Sequence, residues 1–266
     1  MRRDTRLVEL FLRGCNEASD ETYWVSEWPD QSQRQTPAIE AVALNRDRMR
    51  LAIEHTLVQP FLGEKDDSQP FQAVFGPLER DSSLLIPNYD ITLVVPVGAV
   101  PKGVRWNACA EATLDWFRRH KHALPDDLSR HVISNGPFKL EISVEKTYIP
   151  GSKGSVCVMR SHMPETLAAV LRKVLHDKLP KLLHTPADRR ILLLEKDNLP
   201  RGYVEIAKTI ESLEAEFPKL VEVDAMWVVN TVAWESEGVV WFLRIWPGGV
   251  TTRFRVPDQS ANQVDA

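Results

Sequence analysis

Cysteine is scarce in this chain. Cys15, Cys109 and Cys157 are the three in 266 residues, odd in number, widely spaced and without a Cys-x-x-Cys. They indicate neither a disulfide framework nor a zinc ribbon, and they fit a reducing, cytoplasmic setting. An excess of positive charge is missing too. The formal net charge is −4 and the pI about 6.0, so no global basic field draws the chain to nucleic acid, and any such contact has to be local. The opening MRRDTR lacks an apolar signal-peptide core, and no run approaches the roughly 18 apolar residues that span a bilayer. Membrane and secreted roles are therefore not expected. Seven histidines include no His-Glu-x-x-His pair, which removes support for a zinc protease. Neither a Gly-x-Ser-x-Gly elbow nor a Gly-x-Gly-x-x-Gly turn occurs, and residues 150–154 (PGSKG) fall short of a phosphate-cradling loop.

With 43% hydrophobic and 26% charged residues, the chain can bury a substantial core. Hydrophobic periodicity predicts a short helix over 6–12, a polar and aromatic stretch over 17–35 holding Trp24 and Trp28, and a loop over 63–68. A helix over 71–78 and a buried strand over 91–97 follow, then a helix capped by Asn107 and two strands over 138–148 and 155–159. The strongest helical period covers 163–183, with Pro164 in the first turn. A strand over 191–194, a helix over 203–217 and closing strands over 226–231 and 239–246 complete the pattern. Strands alternating with helices predict an α/β (α+β) fold, one domain over 1–256 with a central mixed sheet flanked by helices, and a disordered tail over 257–266.

Two apolar runs, 38–44 and 50–57, carry one carboxylate each, Glu40 and Glu54, and a polar loop, Asn45 to Arg48, separates them. This reads as a β-hairpin. If it is symmetric about Asp47, Glu40 faces Glu54 directly, and like charges in that position destabilise a sheet. A divalent cation, Mg²⁺ or Mn²⁺, would compensate, since hard cations take carboxylate oxygens. The structural alternative is a bulge or register slip that separates the two, or neutralisation by Arg46, Arg48 or Arg50.

The segment PAIEAVALNRDRMRLAIEHT resembles the core of the restriction-endonuclease-like superfamily, the PD-(D/E)xK nucleases. In that family an acidic residue after a proline lies on one strand, and a Glu-x-Lys or Asp-x-Lys triplet lies on the next. Here Pro37 precedes Glu40, and Glu54-His55-Thr56 occupies the triplet. Two departures stand out: the first acid is Glu rather than Asp, and Thr56 stands where the lysine belongs. The resemblance implies a restriction-endonuclease-like core in which the two acids hold a metal that activates water, while a lysine supplies positive charge near that water. It implies metal-dependent hydrolysis of nucleic-acid phosphodiesters, with Glu40, Glu54, Thr56 and a lysine brought from elsewhere at the site. Lys178, Lys181, Lys65 and Lys196 are possible sources, none specific, with Lys178 assigned to the site; Glu9 is a possible extra acid, and a plain surface role is the alternative for each of these residues. Strand alternation turns His55 away from the glutamates.

The remaining features carry less. Arg2, Arg3 and Arg6, the run 118–122 (RRHKH), and Arg172, Lys173, Lys178 and Lys181 are local basic patches, read first as solvated faces. Trp227, Trp234, Trp241 and Trp246 are read as core of the last strands, and Trp24 and Trp28 as better candidates for exposed contacts. Residues 195–197 (EKD) give a charged end to a buried strand. The expectation is a nuclease-like protein. The alternatives are a catalytically inactive binding module of the same fold, suggested by the missing lysine, and an unrelated α/β protein whose glutamates are structural.

Overall fold

In the computed structural model the described residues are 2–32, 38–161, 166–197 and 202–258. The chain divides into two compact units, residues 1–62 with 165–266, and residues 63–164. The second is thus inserted into the first, where sequence periodicity suggests one domain.

Helix α1 (Arg3–Ala18) opens the first unit. It runs further in both directions than the predicted segment because Leu7, Val8, Leu10 and Phe11 form one buried stripe and Asp4 sits favourably in the first turn. Strand β1 (Trp24–Glu27) and the single-turn α2 (Pro29–Ser32) follow inside the stretch read as irregular. Strands β2 (Ala41–Leu44) and β3 (Arg50–Leu57) form the expected hairpin. Its register is the one read from the sequence: Ala41 opposes Ile53, Val42 opposes Ala52, Ala43 opposes Leu51 and Leu44 opposes Arg50.

The inserted unit begins with α3 (Glu64–Arg80), which takes in most of the segment predicted to be a loop; Glu64, Asp66 and Asp67 crowd its first turn, where the helix dipole favours them. Next come β4 (Tyr89–Val95), α4 (Trp106–His120), β5 (Asp127–Ile133), β6 (Leu140–Tyr148) and β7 (Ser155–Arg160). Asn107 is not the cap of α4; Arg105 holds that position, without a side-chain cap bond. The four strands form one sheet in the order β5-β6-β4-β7. A single core that includes Phe75, Leu78, Leu93, Phe117 and Val144 fills the unit.

The chain then returns through α5 (Leu167–His184), whose Thr166 cap accepts a hydrogen bond from the Ala169 amide at 3.3 Å. Met163 and Pro164, expected in its first turn, lie outside the described residues. Strand β8 (Arg189–Lys196), α6 (Tyr203–Leu213), β9 (Ala225–Asn230), the one-turn α7 (Trp234–Glu237), β10 (Val239–Trp246) and β11 (Thr252–Pro257) complete the first unit. Strand β11 reaches one residue into the segment expected to be a tail, paired with β10 along its length.

Seven strands form one mixed sheet in the order β1-β2-β3-β8-β9-β10-β11. The three central strands, β3, β8 and β9, are parallel to one another and the flanking pairs antiparallel. Parallel strands are buried on both faces and so read as continuous apolar runs, as Ile191 to Leu194 does. One face packs against α5 and α6 through Ala52, Leu192, Leu194, Met226 and Val228. The other packs against α1 through Leu51, Ile53, Leu193, Trp227 and Val229. The α/β class with a mixed sheet flanked by helices is therefore what the chain adopts.

Candidate functional site

Pleating sends Ala52 and Glu54 to the α5 side of β3 and Ile53 and His55 to the α1 side. Glu54 is fully buried. On α5, Lys178 reaches down and donates from Nζ to Glu54 Oε1 at 2.6 Å. Lys181, one turn further along the same helix face, adds positive potential. Glu54 Oε2 is buried without a hydrogen-bond partner. Burial raises the Glu54 carboxyl above its ordinary range; Lys178, Lys181 and the Glu40 amide pull against that rise without cancelling it.

Glu40 is half-buried immediately before β2. Continuing the hairpin register by one residue puts it opposite Glu54, and the two carboxylates repel. Burial first, then Glu54, Asp4 and Asp30, push the Glu40 carboxyl up to about 7, with Lys178 opposing. Glu40 is therefore a group that exchanges its proton near neutrality, the condition suited to acid–base work.

The structure brings Glu40, Glu54 and Lys178 together, three of the residues named from the sequence. Thr56 follows on β3, half-buried. Sequence reasoning missed Asp4 on α1 and Asp30 on α2, which act on Glu40 electrostatically. Asp4 lies on α1, and Glu9, the extra acid named from the sequence, meets Arg6 at 3.5 Å on the exposed side of that helix. Lys196 lies at the end of β8 and Lys65 in the first turn of α3 in the inserted unit. Among the described residues no three His, Cys, Asp or Glu side chains gather as a cation cage.

A cavity of about 610 Å³ is lined by Ile39, the chain neighbour of Glu40, and by Val42, Arg50, Lys181 and His184 among others, while Glu40, Glu54 and Lys178 are not part of its lining. Its edge mixes Arg50, Lys181 and His184 with Glu27, which meets Arg50 at 3.7 Å. Members of the other basic patches also meet acids: Arg2 meets Asp30, Arg3 meets Glu195, Arg118 meets Asp81, Arg172 meets Glu216 and Lys173 meets Asp177. Trp227 and Trp246 are buried in the core, whereas Trp24 is 48% exposed.

On the opposite face His55 Nε2 lies 3.1 Å from Glu195 Oε2, turned away from the glutamate pair as alternation predicts. Glu195 also accepts from Arg3 Nε at 2.9 Å and from the Thr231 hydroxyl at 3.0 Å. Burial raises its carboxyl, but His55 and Arg3 outweigh that and hold it below the usual range. The charged end of β8 is thus a satisfied clasp between α1 and the sheet.

No helix among the described residues is long and apolar enough to cross a membrane. No family model, curated protein or solved structure matches this chain.

Proposed function

We propose that this protein is a metal-assisted phosphodiesterase of the restriction-endonuclease-like kind, acting on nucleic acid through Glu40, Glu54 and Lys178. The observation that carries the reading is the Lys178 ammonium at 2.6 Å from Glu54. The resemblance asks for two acids on neighbouring strands and a lysine beside them. With Thr56 at the motif position, α5 supplies the lysine from the next layer.

A divalent cation fits the residues present, since the buried Oε2 of Glu54 lacks a partner and a deprotonated Glu40 would give a second hard oxygen donor. Glu40 and Glu54 would hold Mg²⁺ or Mn²⁺, which supplies a Lewis acid for the phosphate and lowers the pKa of bound water. The chain itself does the rest. Glu40, poised near pH 7 in the metal-free chain, gives up its proton before its carboxylate can take the cation. Lys178 places fixed positive charge where a phosphate oxygen becomes more negative. Arg50, Lys181 and His184 on the cavity edge offer contacts to flanking phosphates, which position rather than specify.

A second reading, an inactive binding module of the same fold, is favoured by one observation: Lys178 already takes one oxygen of Glu54. Calorimetry with MgCl₂ and MnCl₂ on wild type, Glu40→Gln and Lys178→Met, run beside cleavage assays on single- and double-stranded DNA and RNA, separates the two. The nuclease reading expects saturable metal binding that Glu40→Gln abolishes, and cleavage that both variants lower by at least 100-fold. Metal binding with no cleavage of any substrate leaves the binding module, and no metal binding sinks both the metal and the hydrolysis.

A further inference from the structure

The α1 face of the same sheet holds a second site. A cavity of about 720 Å³ opens beside the last turns of α1, within the size range of small-molecule pockets. Its walls are aromatic: Phe11 meets Trp227 edge-on at 5.4 Å between ring centres, and Phe254 lies 5.1 Å from Trp227. Arg244 and Thr252 also line it.

The sheet register brings the polar groups together. Arg244 on β10 stands directly opposite Trp227 on β9 and opposite Thr252 on β11, so the three side chains form one row on one face, with neighbouring Cβ atoms about 4.5 to 5.5 Å apart. Two of them are donors without an anionic acceptor. The Trp227 indole N–H is buried and has no hydrogen-bond partner. The Arg244 guanidinium donates only to the backbone carbonyls of Trp246 at 3.3 Å and Asp224 at 3.4 Å, and among the described residues it has no ion pair. Three acids also line the cavity: Glu21 meets Arg189 at 3.2 Å and accepts the Tyr23 hydroxyl proton, Asp224 accepts from the Arg190 amide, and Asp20 is exposed to solvent, so none of them pairs with Arg244. Cys15 also faces the cavity, its thiol pushed up to about 12 by burial, so it stays neutral and contributes no competing anion.

We propose that this cavity binds a small planar aromatic carboxylate, its ring held by Phe11, Trp227 and Phe254 and its carboxylate received by Arg244 and the Trp227 indole N–H. A guanidinium and an indole N–H are both donors, so the complementary group is an acceptor. The aromatic walls select a flat apolar body, and a charged acceptor is favoured over a neutral one because the guanidinium has no counter-charge of its own.

The test is calorimetric titration of the full chain with 2-naphthoate and with its neutral analogue 2-naphthylmethanol, on wild type, Arg244→Gln and Trp227→Phe. Circular dichroism checks that each variant is folded. The expected result is saturable one-to-one binding of 2-naphthoate, roughly tenfold weaker binding of the alcohol, a roughly tenfold loss in Arg244→Gln and a loss of roughly threefold to tenfold in Trp227→Phe. Glu40→Gln, on the other face of the sheet, should bind like wild type. Absence of saturable binding to folded wild type up to millimolar probe overturns the proposal, as does equal affinity for the acid and the alcohol, or an affinity that Arg244→Gln leaves unchanged.

Discussion

A buried carboxylate loses its water and must find that solvation in the protein. Glu54 finds part of it: Lys178 takes one oxygen and the Glu40 amide adds a favourable pull, while Oε2 makes no hydrogen bond. Removing Lys178 therefore strands a buried charge. Lys178→Met should cost about 3 kcal/mol of stability at neutral pH, and the double variant with Glu54→Gln should regain most of it, which urea unfolding of the set will show. Glu40 gives a prediction with a definite sign. Its folded pKa of about 7 lies above the ordinary 4.5, so the folded state holds the proton more tightly than the unfolded chain. The stability this contributes is complete below about pH 4.5 and is lost as pH rises through 7. Discounted for the part of the side chain that water reaches, the loss is on the order of 2 kcal/mol, and it should vanish in Glu40→Gln. Metal affinity should run the other way, climbing through pH 7 as the proton leaves. These residues were legible in the sequence because a carboxylate inside an apolar strand is conspicuous. Asp4 and Asp30 were not, since an acid in the first turn of a helix looks like ordinary dipole pairing.

At the level of elements, legibility followed how far an element carries its own signal. The long central strands and α5 announce themselves by continuous or periodic apolar residues. The strands that were missed, β1, β5 and β11, are edge strands of four to seven residues with polar outer faces, and pairing rather than propensity holds them. Strand β11 shows the mechanism: Phe254 and Val256 turn inward while Arg253 and Arg255 stay out, and on α1 they meet Gly14. A methyl group there would meet the Phe254 ring and approach Val256 to 2.8 Å. Gly14→Ala should therefore lower the urea midpoint, by about 1 to 3 kcal/mol of overpacking, although alanine is the better helix former. A midpoint that rises would mean β11 gives way without cost.

For the whole molecule, the division into two units was the least legible feature, because no composition shift or linker marks residues 63–164. Each unit has a core of its own, so thermal unfolding should resolve two transitions rather than one. Phe117→Ala in the inserted unit and Leu171→Ala on the buried face of α5 should each shift a different transition, by about 2 to 5 kcal/mol; calorimetry of both variants decides it. The insertion also gives the Glu54–Lys178 contact an unusual place in the order of events during folding. Its partners are 124 residues apart, and the β3–β8 pairing spans the same excursion. Closing so long a loop carries an entropic cost that local hairpins escape. The acids of the β2–β3 hairpin are in place early and the lysine arrives late, so a chain stalled in its middle third would hold an exposed, mutually repelling glutamate pair with nothing to quiet it.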